Sequence, residues 1–518
     1  MELRPPRKVA KMSVGKPGEL SYVFDMSSNR RSFLRTAGLL AAASSGMPAV
    51  VRGADAARQA SDAVPRHIIH LVSDGTSSGT LTIADYFSHR ARGRGLRWFE
   101  LYQNPAAQTA FVNMRSLNSV VTDSAAASSS WGSGSRVKNG MLNTLPDGRK
   151  LRPLYALFDE AGWKRGLVTT TEITHATPAG FATNAQRDEA QSIAAQYLQH
   201  KVEVLLGGGR KFFDPAQRKD KRNLPADYRA AGYTVMNQAA ELDAAPLDRP
   251  WLGTFSSSHL PYTIDHLASA KLQKEVPTLA AMTRQALKKL SREDRFILQV
   301  EGGRVDHAAH ANDIAAAVRD SVAFDEALEV CLEFQRREPD TLLVITTDHG
   351  TANPGLNGTG SSYSKTNPLL ADLPKAKASF EEMATRLGKQ PTPGKLQSVI
   401  HEGTGYKVPD AKAVFLASFF AKKGLALYDT MNSVTCQMGQ LMGNYYGVGW
   451  TSGAHTADFV PLLALGPGAA RFRGFLQNTE VFRHYLALAN IDYRNPEVPL
   501  MAECGPSASE VELAEFYV

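Results

Sequence analysis

Glu301, Asp306 and His310, with His307 between them, fall in the run Glu-Gly-Gly-Arg-Val-Asp-His-Ala-Ala-His, directly after an apolar, β-rich stretch. Carboxylate oxygens and imidazole nitrogens are ligands for zinc and magnesium, and a hydrolytic metal site needs several of them converging. Taken alone, the run reads equally as a solvated loop with two incidental histidines. Two further apolar stretches end in the same way, one at Asp74-Gly75 and the other at Thr347-Asp348-His349-Gly350. A fourth leads to His175 and Thr177, and His455 stands far downstream. Zinc takes about four ligands, and two zincs with a harder cation need roughly ten, some of them shared. Asp74, Thr177, Glu301, Asp306, His310, Asp348, His349 and His455 nearly supply that set.

Hydrolysis also calls for a nucleophile. In Val121-Thr122-Asp123-Ser124-Ala125-Ala126-Ala127 a serine enters an Ala/Ser-rich, helix-compatible run. Unpaired amides and the positive end of a helix dipole would favour a phosphate beside its hydroxyl. A free serine is a poor nucleophile and needs a base or a metal ion to activate it. The same serine also reads as a simple N-cap, because Asp and Ser are both common there.

The elements that must position these residues are short apolar runs: Ile68–Ser73, Gly166–Thr171, Val202–Leu206, Phe296–Val300, Leu342–Thr346 and Val460–Leu465. Helical intervals lie between them, for example Ile314, Val318 and Val322 at four-residue spacing after Asn312-Asp313. This alternation predicts an α/β fold, a three-layer, mostly parallel sheet with helices on both faces. In such sheets ligands bind beyond the carboxyl ends of the strands, where four of these runs deliver metal-type side chains. The stretch from 351 to 446 carries helical patches at Ser379–Leu387 and Asp410–Phe420, broken by Pro391-Thr392-Pro393-Gly394. It separates Asp348-His349 from His455 and reads as a large insertion, a lid over the site edge.

The constellation resembles the alkaline phosphatase family from about His67 to Gly468. The resemblance rests on Asp74, Thr122-Asp123-Ser124-Ala125-Ala126, His175-Ala176-Thr177-Pro178, Glu301 to His310, Thr347-Asp348-His349-Gly350 and Ser452-Gly453-Ala454-His455-Thr456, which stand in the family's order. It implies two zinc ions, one on Asp306, His310 and His455 and the other on Asp74, Asp348 and His349. It also implies a magnesium on Thr177 and Glu301 bridged by Asp74, with His175 beside it, and a phosphoserine intermediate on Ser124 in the hydrolysis of phosphate monoesters. Arg187 is similar to the family's phosphate-clamping arginine, and a planar guanidinium suits bidentate phosphate recognition; it also reads as a surface arginine on a helix. Two departures stand out. The interval from Thr177 to Arg187 is one residue shorter than the family pattern, and His175 and His307 replace the aspartate and lysine of the enterobacterial type, leaving the third metal's identity open.

The nearest rivals are a phosphodiesterase of the same superfamily and a metal-stabilised phosphate-binding protein with an idle site. Ser124, Thr177 and Glu301 together favour the monoesterase, since such diesterases commonly carry threonine as nucleophile and lack the third metal set. A sulfatase fits less well, because no Cys/Ser-x-Pro-x-Arg run lies near the first ligand.

Charge and cysteine usage bound the remainder. The net charge is +7, but residues 1–56 hold nine Lys/Arg against four Asp/Glu, leaving 49 against 47 elsewhere. The body thus lacks the basic excess of a nucleic-acid binder. Asn29-Arg30-Arg31-Ser32-Phe33-Leu34-Arg35, an apolar stretch from Thr36 to Val51 and the small residues Ala54-Asp55-Ala56 resemble a twin-arginine export signal. Residues 1–56 are therefore expected to be a signal peptide read by the twin-arginine machinery, with residues 57–518 forming a periplasmic or secreted catalytic domain. Met26 is an alternative start. A homodimer is left open, and no other run reaches the roughly 18–20 apolar residues of a membrane span. Cys331, Cys436 and Cys504 allow at most one bridge within a monomer, and Cys331 reads as a buried helix residue.

Overall fold

The computed structural model describes residues 64–501 apart from 359 and 361; the expected signal segment 1–56 and Cys504 lie outside the described residues. Strands β1 (His67–Val72), β2 (Gln108–Asn113), β3 (Lys164–Glu172), β4 (Val204–Gly208), β5 (Thr234–Met236), β6 (Trp251–Thr254), β7 (Phe296–Glu301), β8 (Thr341–Thr346), β9 (Val460–Leu465) and β10 (Gly474–Gln477) form a ten-stranded sheet. Their order is β10-β2-β9-β8-β1-β7-β3-β4-β6-β5. Neighbours run parallel except β9, which is antiparallel to both β8 and β2. All six expected strands are present, and an apolar run such as Val460–Leu465 carries no sign of its own direction.

The chief helices are α1 (Ser78–Arg92), α2 (Ser124–Ser133), α3 (Ala176–Ala179), α4 (Leu279–Leu290), α5 (Arg304–His310), α6 (Ile314–Arg337), α7 (Phe380–Leu387), α8 (Val434–Tyr446) and α9 (Asn478–Leu488). Strand side chains alternate between two cores. Ile69 and Leu71 pack with Leu81 and Phe87 of α1, Met282 of α4 and Val318 of α6. Ile68 and Val72 pack with Trp131 of α2 and with Phe482 and Tyr485 of α9. Every residue of β1, β7 and β8 is buried, so the central strands read as continuous apolar runs. Each fully buried Leu, Ile or Phe contributes about 1.5–3 kcal/mol, which concentrates stability beneath the strand ends that carry the site.

The stretch from 351 to 446 is joined to the body by two short ladders. Gly355–Leu356 pairs with Val448–Gly449, and Gly350–Thr351 pairs with His455–Thr456. Ser379 caps α7 by accepting from Glu382 N, and Asp410–Phe420 is helical as expected. The expected break falls just after α7, and its second half opens the next helix. Thr392 caps Pro393–Thr404, where a proline in the first turn forfeits no hydrogen bond. Leu370, Leu373, Phe380 and Met383 join the same core as α1, α4 and α6, so this stretch is packed into the body. Cys331 in α6 and Cys436 in α8 are free and buried. Among the described residues no helix is long and apolar enough to cross a membrane.

Candidate active site

Strand ends set out the site. β1 runs through Ser73 into Asp74 and Gly75, where the chain turns with a φ of 64°. A Cβ on Gly75 would lie 2.4 Å from Asp306 Oδ1, so both the turn and the close approach require glycine. Gly75 N–H donates to Asp348 Oδ1 at 3.0 Å, tying the end of β1 to the end of β8. β7 ends at the buried Glu301, and α5 then carries Asp306, His307 and His310. β3 leads to His175 and to Thr177 on α3. His455 pairs in register with Thr351, so the ladder returns it beside Asp348-His349 across the long intervening segment.

Three sets of side chains converge closely enough to hold metal ions: Asp306, His310 and His455; Asp74, Asp306 and His349; and Asp74, His175 and Glu301, with one ligand atom from each residue within 4.8 Å of the others in its set. Asp348 stands outside these sets, yet its Oδ2 lies 3.1 Å from His349 Nε2. Thr177 Oγ1 donates to Asp74 Oδ2 at 3.3 Å.

The donor chemistry fits cations. Asp74 Oδ1, Asp348 Oδ2, Glu301 Oε1 and His175 Nδ1 are buried without hydrogen-bond partners, a costly state for polar atoms unless an ion meets them. His310 Nδ1 lies 2.7 Å from Gly453 O, and His455 Nδ1 lies 2.8 Å from Thr122 O. A carbonyl only accepts, so both Nδ1 atoms carry the proton. In the neutral rings the two Nε2 lone pairs then face each other at 2.9 Å, which a cation between them would reconcile. Backbone carbonyls orienting ligand imidazoles in this way are usual around metal centres.

Electrostatics point the same way. Burial, followed by the charges of Asp348, Asp306 and Glu301, holds the Asp74 carboxyl well above the usual carboxylate range. Burial pushes Asp306 the same way, but the imidazoles of His310, His455 and His349 outweigh it and hold this carboxyl low. Burial opposes the charge on His349, but Asp348 beside it raises its pKa. Burial and the neighbouring His349 push His455 down to about 4.

Ser124 is the first residue of α2 and is buried, with Oγ 3.2 Å from His349 Nε2. The capping role falls to Asp123, whose Oδ1 accepts from Ala126 N at 2.8 Å. Asp123 Oδ2 accepts from Gly140 N and, at 2.9 Å, from Arg187 Nη1. Arg187 therefore belongs to none of the three ligand sets and is anchored one residue from Ser124. Its N–H lies on Gly140 O just after the two-residue strand Ala185–Gln186, so it sits on a strand end and not on the surface of a helix.

Sequence reasoning missed the residues that brace these groups. Thr351 Oγ1 donates to Asp306 Oδ1 at 2.6 Å. Thr169 and Thr171 both donate to Glu301 Oε2, Thr171 at 3.2 Å. Their i, i+2 spacing on a strand was the available signal. His259, Arg304 and Tyr262 form a further wall: Arg304 Nη1 lies 2.8 Å from His307 Nδ1, Arg304 Nη2 donates to Glu381 at 2.7 Å, and the guanidinium stacks 3.7 Å over Tyr262.

A mostly parallel α/β sheet whose strand ends gather carboxylates and imidazoles around a helix-terminal serine defines a metal-binding hydrolase. The family model described as alkaline phosphatase matches residues 65–491. The chain belongs to the alkaline phosphatase family and is a phosphatase. It is 33% identical over 373 residues to alkaline phosphatase 3 of Bacillus subtilis, covering 70% of this chain and 76% of that protein. It is 28% identical over 462 residues to the repressible alkaline phosphatase of Saccharomyces cerevisiae, covering 80% and 78% respectively. The crystal structure of Thermus thermophilus alkaline phosphatase superposes with a TM-score of 0.80 at 36% identity, covering 86% of this chain and 96% of that one.

Proposed function

We propose that this chain is an exported enzyme that hydrolyses phosphate monoesters through a phosphoserine on Ser124, with two zinc ions and one magnesium. The observation that carries this reading is the placement of the Ser124 hydroxyl, 3.2 Å from His349 Nε2 at the first turn of α2. There it meets the ligand sets and the helix's unpaired amides together. Asp306, His310 and His455 would hold one zinc, Asp74, Asp348 and His349 the second, and Asp74, His175, Thr177 and Glu301 the magnesium. When bound, these cations would supply positive charge that lowers the pKa of the serine hydroxyl and offsets the charge of the phosphoryl oxygens.

Ser124 Oγ releases its proton to solvent and attacks phosphorus in line, the bond from phosphorus to the ester oxygen breaks, and the alcohol leaves with a proton from solvent. Arg187, held by Asp123, offers its remaining guanidinium N–H groups to two phosphoryl oxygens. Water then attacks the phosphoserine, inorganic phosphate departs and the serine oxygen regains its proton. The residues from 351 to 446 act as a lid at the rim, where Glu381 holds Arg304 and Cys436 Sγ lies 3.7 Å from His310 O. The test is turnover of a chromogenic monoester beside its diester analogue by the mature, metal-loaded protein. Monoester hydrolysis at least about a hundredfold faster is expected, a gap of about 2.7 kcal/mol in barrier height. Preferential diester cleavage, or no turnover of either, would reject the reading.

A further inference from the structure

A cavity of about 360 Å³ lies between α1, α4 and α6, and none of the three ligand sets lines it. That volume is in the range that takes small organic molecules. Its inner walls are the buried side chains of Phe87, Leu260, Val276 and Leu279, and the exposed Ala91, Leu267 and Glu326 frame its mouth. Asp320, Ala323 and Glu326 follow one another at three-residue spacing on α6, so a single face of that helix runs from the interior to the mouth. The small side chains of Ala91 and Ala323 leave the space between α1 and α6 open.

Asp320 is the buried acid of this lining. Its Oδ1 accepts from Thr263 Oγ1 at 3.0 Å and its Oδ2 from Thr263 N at 3.2 Å, and Thr263 itself stands at the cavity wall. Among the described residues no basic side chain forms an ion pair with it. Burial pushes its pKa up to about 7, against the charge of Arg304 and the hydrogen bonds from Thr263. The two guanidiniums of the lining are turned to protein oxygens. Arg319 directs Nη1 to Ala315 O at 2.8 Å and Nη2 to Pro374 O and Ala376 O, each at 3.0 Å. Arg92 Nη2 lies on Asp325 Oδ2 at 2.9 Å, and its Nη1, closed off from solvent, is 4.0 Å from Glu326 Oε1. A molecule entering the cavity therefore meets one carboxylate at the mouth, apolar walls, and a second carboxylate at depth.

We propose that this cavity binds a small organic cation, a primary ammonium on an apolar body, with the ammonium on Asp320 and the body among Phe87, Leu260 and Val276. A carboxylate that accepts two hydrogen bonds keeps lone pairs for the ammonium's N–H groups. The cation in turn offsets the cost of burying a carboxylate that has no ion pair. The site is separate from the catalytic centre and does not depend on which metals that centre holds.

The test uses the metal-loaded full chain with inorganic phosphate at saturation, so that the catalytic centre is occupied. Benzylammonium, benzyl alcohol and benzoate are titrated by calorimetry just above the Asp320 pKa, where the carboxyl is ionised and the amine still protonated. Asp320→Asn removes the charge and keeps the shape, while Ala91→Trp, at an exposed position of α1, closes the mouth without touching the interior. The expected result is one benzylammonium per chain, bound at least about tenfold more tightly than either the alcohol or benzoate, as for a hydrogen bond to a charged group. In Asp320→Asn the preference for the ammonium should disappear while the alcohol binds as before, which also shows that the cavity is intact. Ala91→Trp should weaken both ligands. Benzoate binding more tightly than benzylammonium would overturn the proposal by making Arg92 or Arg319 the anchor. An ammonium preference that survives Asp320→Asn, or full binding by Ala91→Trp, would overturn it by placing the ligand elsewhere. No binding of benzylammonium by the unsubstituted protein would overturn it by making the cavity a packing gap.

Discussion

The imidazoles of His310 and His455 carry their protons on Nδ1, donating hydrogen bonds to Gly453 O and Thr122 O, and so turn two bare nitrogens toward one point. A neutral pair arranged this way has no satisfactory hydrogen-bonded state without a third party. Removal of a ligand and removal of its brace should therefore differ in degree. His310→Ala is expected to lose about one metal equivalent by elemental analysis and nearly all activity, because a three-residue set cannot spare a member. Thr351→Val removes only the hydroxyl on Asp306 Oδ1; it should keep full occupancy at saturating metal but weaken affinity about 10–100-fold in a chelator competition, as expected for a residue behind a ligand. Equal losses in the two variants would show that Thr351 is itself a ligand or that His310 is not. The ligand-type residues were legible because their side chains advertise their chemistry after apolar runs. Thr351, Thr169 and Thr171 were not, because a threonine in a strand is ordinary β composition and only the partner across the sheet gives it a task.

At the scale of elements, the carboxyl of Asp313 joins two parts of the chain. One oxygen caps α6 by accepting from Ala316 N at 3.1 Å, and the other accepts from Phe380 N at 2.6 Å at the start of α7. Asp313→Ala should thus cost the cap and strand a buried N–H. The expected loss is about 2–4 kcal/mol in a denaturant melt, the sum of a cap and an unsatisfied donor, and a loss under about 0.5 kcal/mol would show that α7 is not held to α6 in this way. The start of the helix is legible in the sequence, since apolar residues at helical spacing follow Asn312-Asp313; the second partner of Asp313, 67 residues on, is not. The same divide runs through the sheet. β1, β7 and β8 are buried on both faces and spelled out as apolar runs, whereas β2, β5 and β10 are partly exposed, and β6 has only four residues with Gly253 among them. Such strands exist by pairing with a neighbour rather than by their own pattern. His455 reads as a member of the ligand set in the sequence, but the way it returns to His349 does not, because it depends on the two-residue ladder between Gly350–Thr351 and His455–Thr456.

For the whole molecule, the sheet supplies a buried platform, and the charged groups stand at its rim. Residues 1–56 carry most of the chain's positive excess, and the paired arginines Arg30 and Arg31 motivate a prediction about location. Arg30→Lys with Arg31→Lys should leave the precursor in the cytoplasm, as followed by fractionation and immunoblot; undiminished mature protein outside the cytoplasm would refute the twin-arginine reading. Covalent catalysis at Ser124 is what the proposed function rests on, and the Ser124 hydroxyl stands 3.2 Å from His349 Nε2. The cap of α2 belongs to Asp123, so replacing Ser124 should not cost the roughly 1 kcal/mol of a lost cap. The most direct measurement is acid quench of the metal-loaded enzyme during turnover of a phosphorus-labelled monoester, followed by peptide mapping, with Ser124→Ala assayed alongside. Label is expected on the peptide containing Ser124, together with an alanine variant that keeps its metal while turning over at least about 10³-fold more slowly, in line with losing a nucleophile. Normal turnover by the alanine variant, with no label anywhere on the chain, would contradict it.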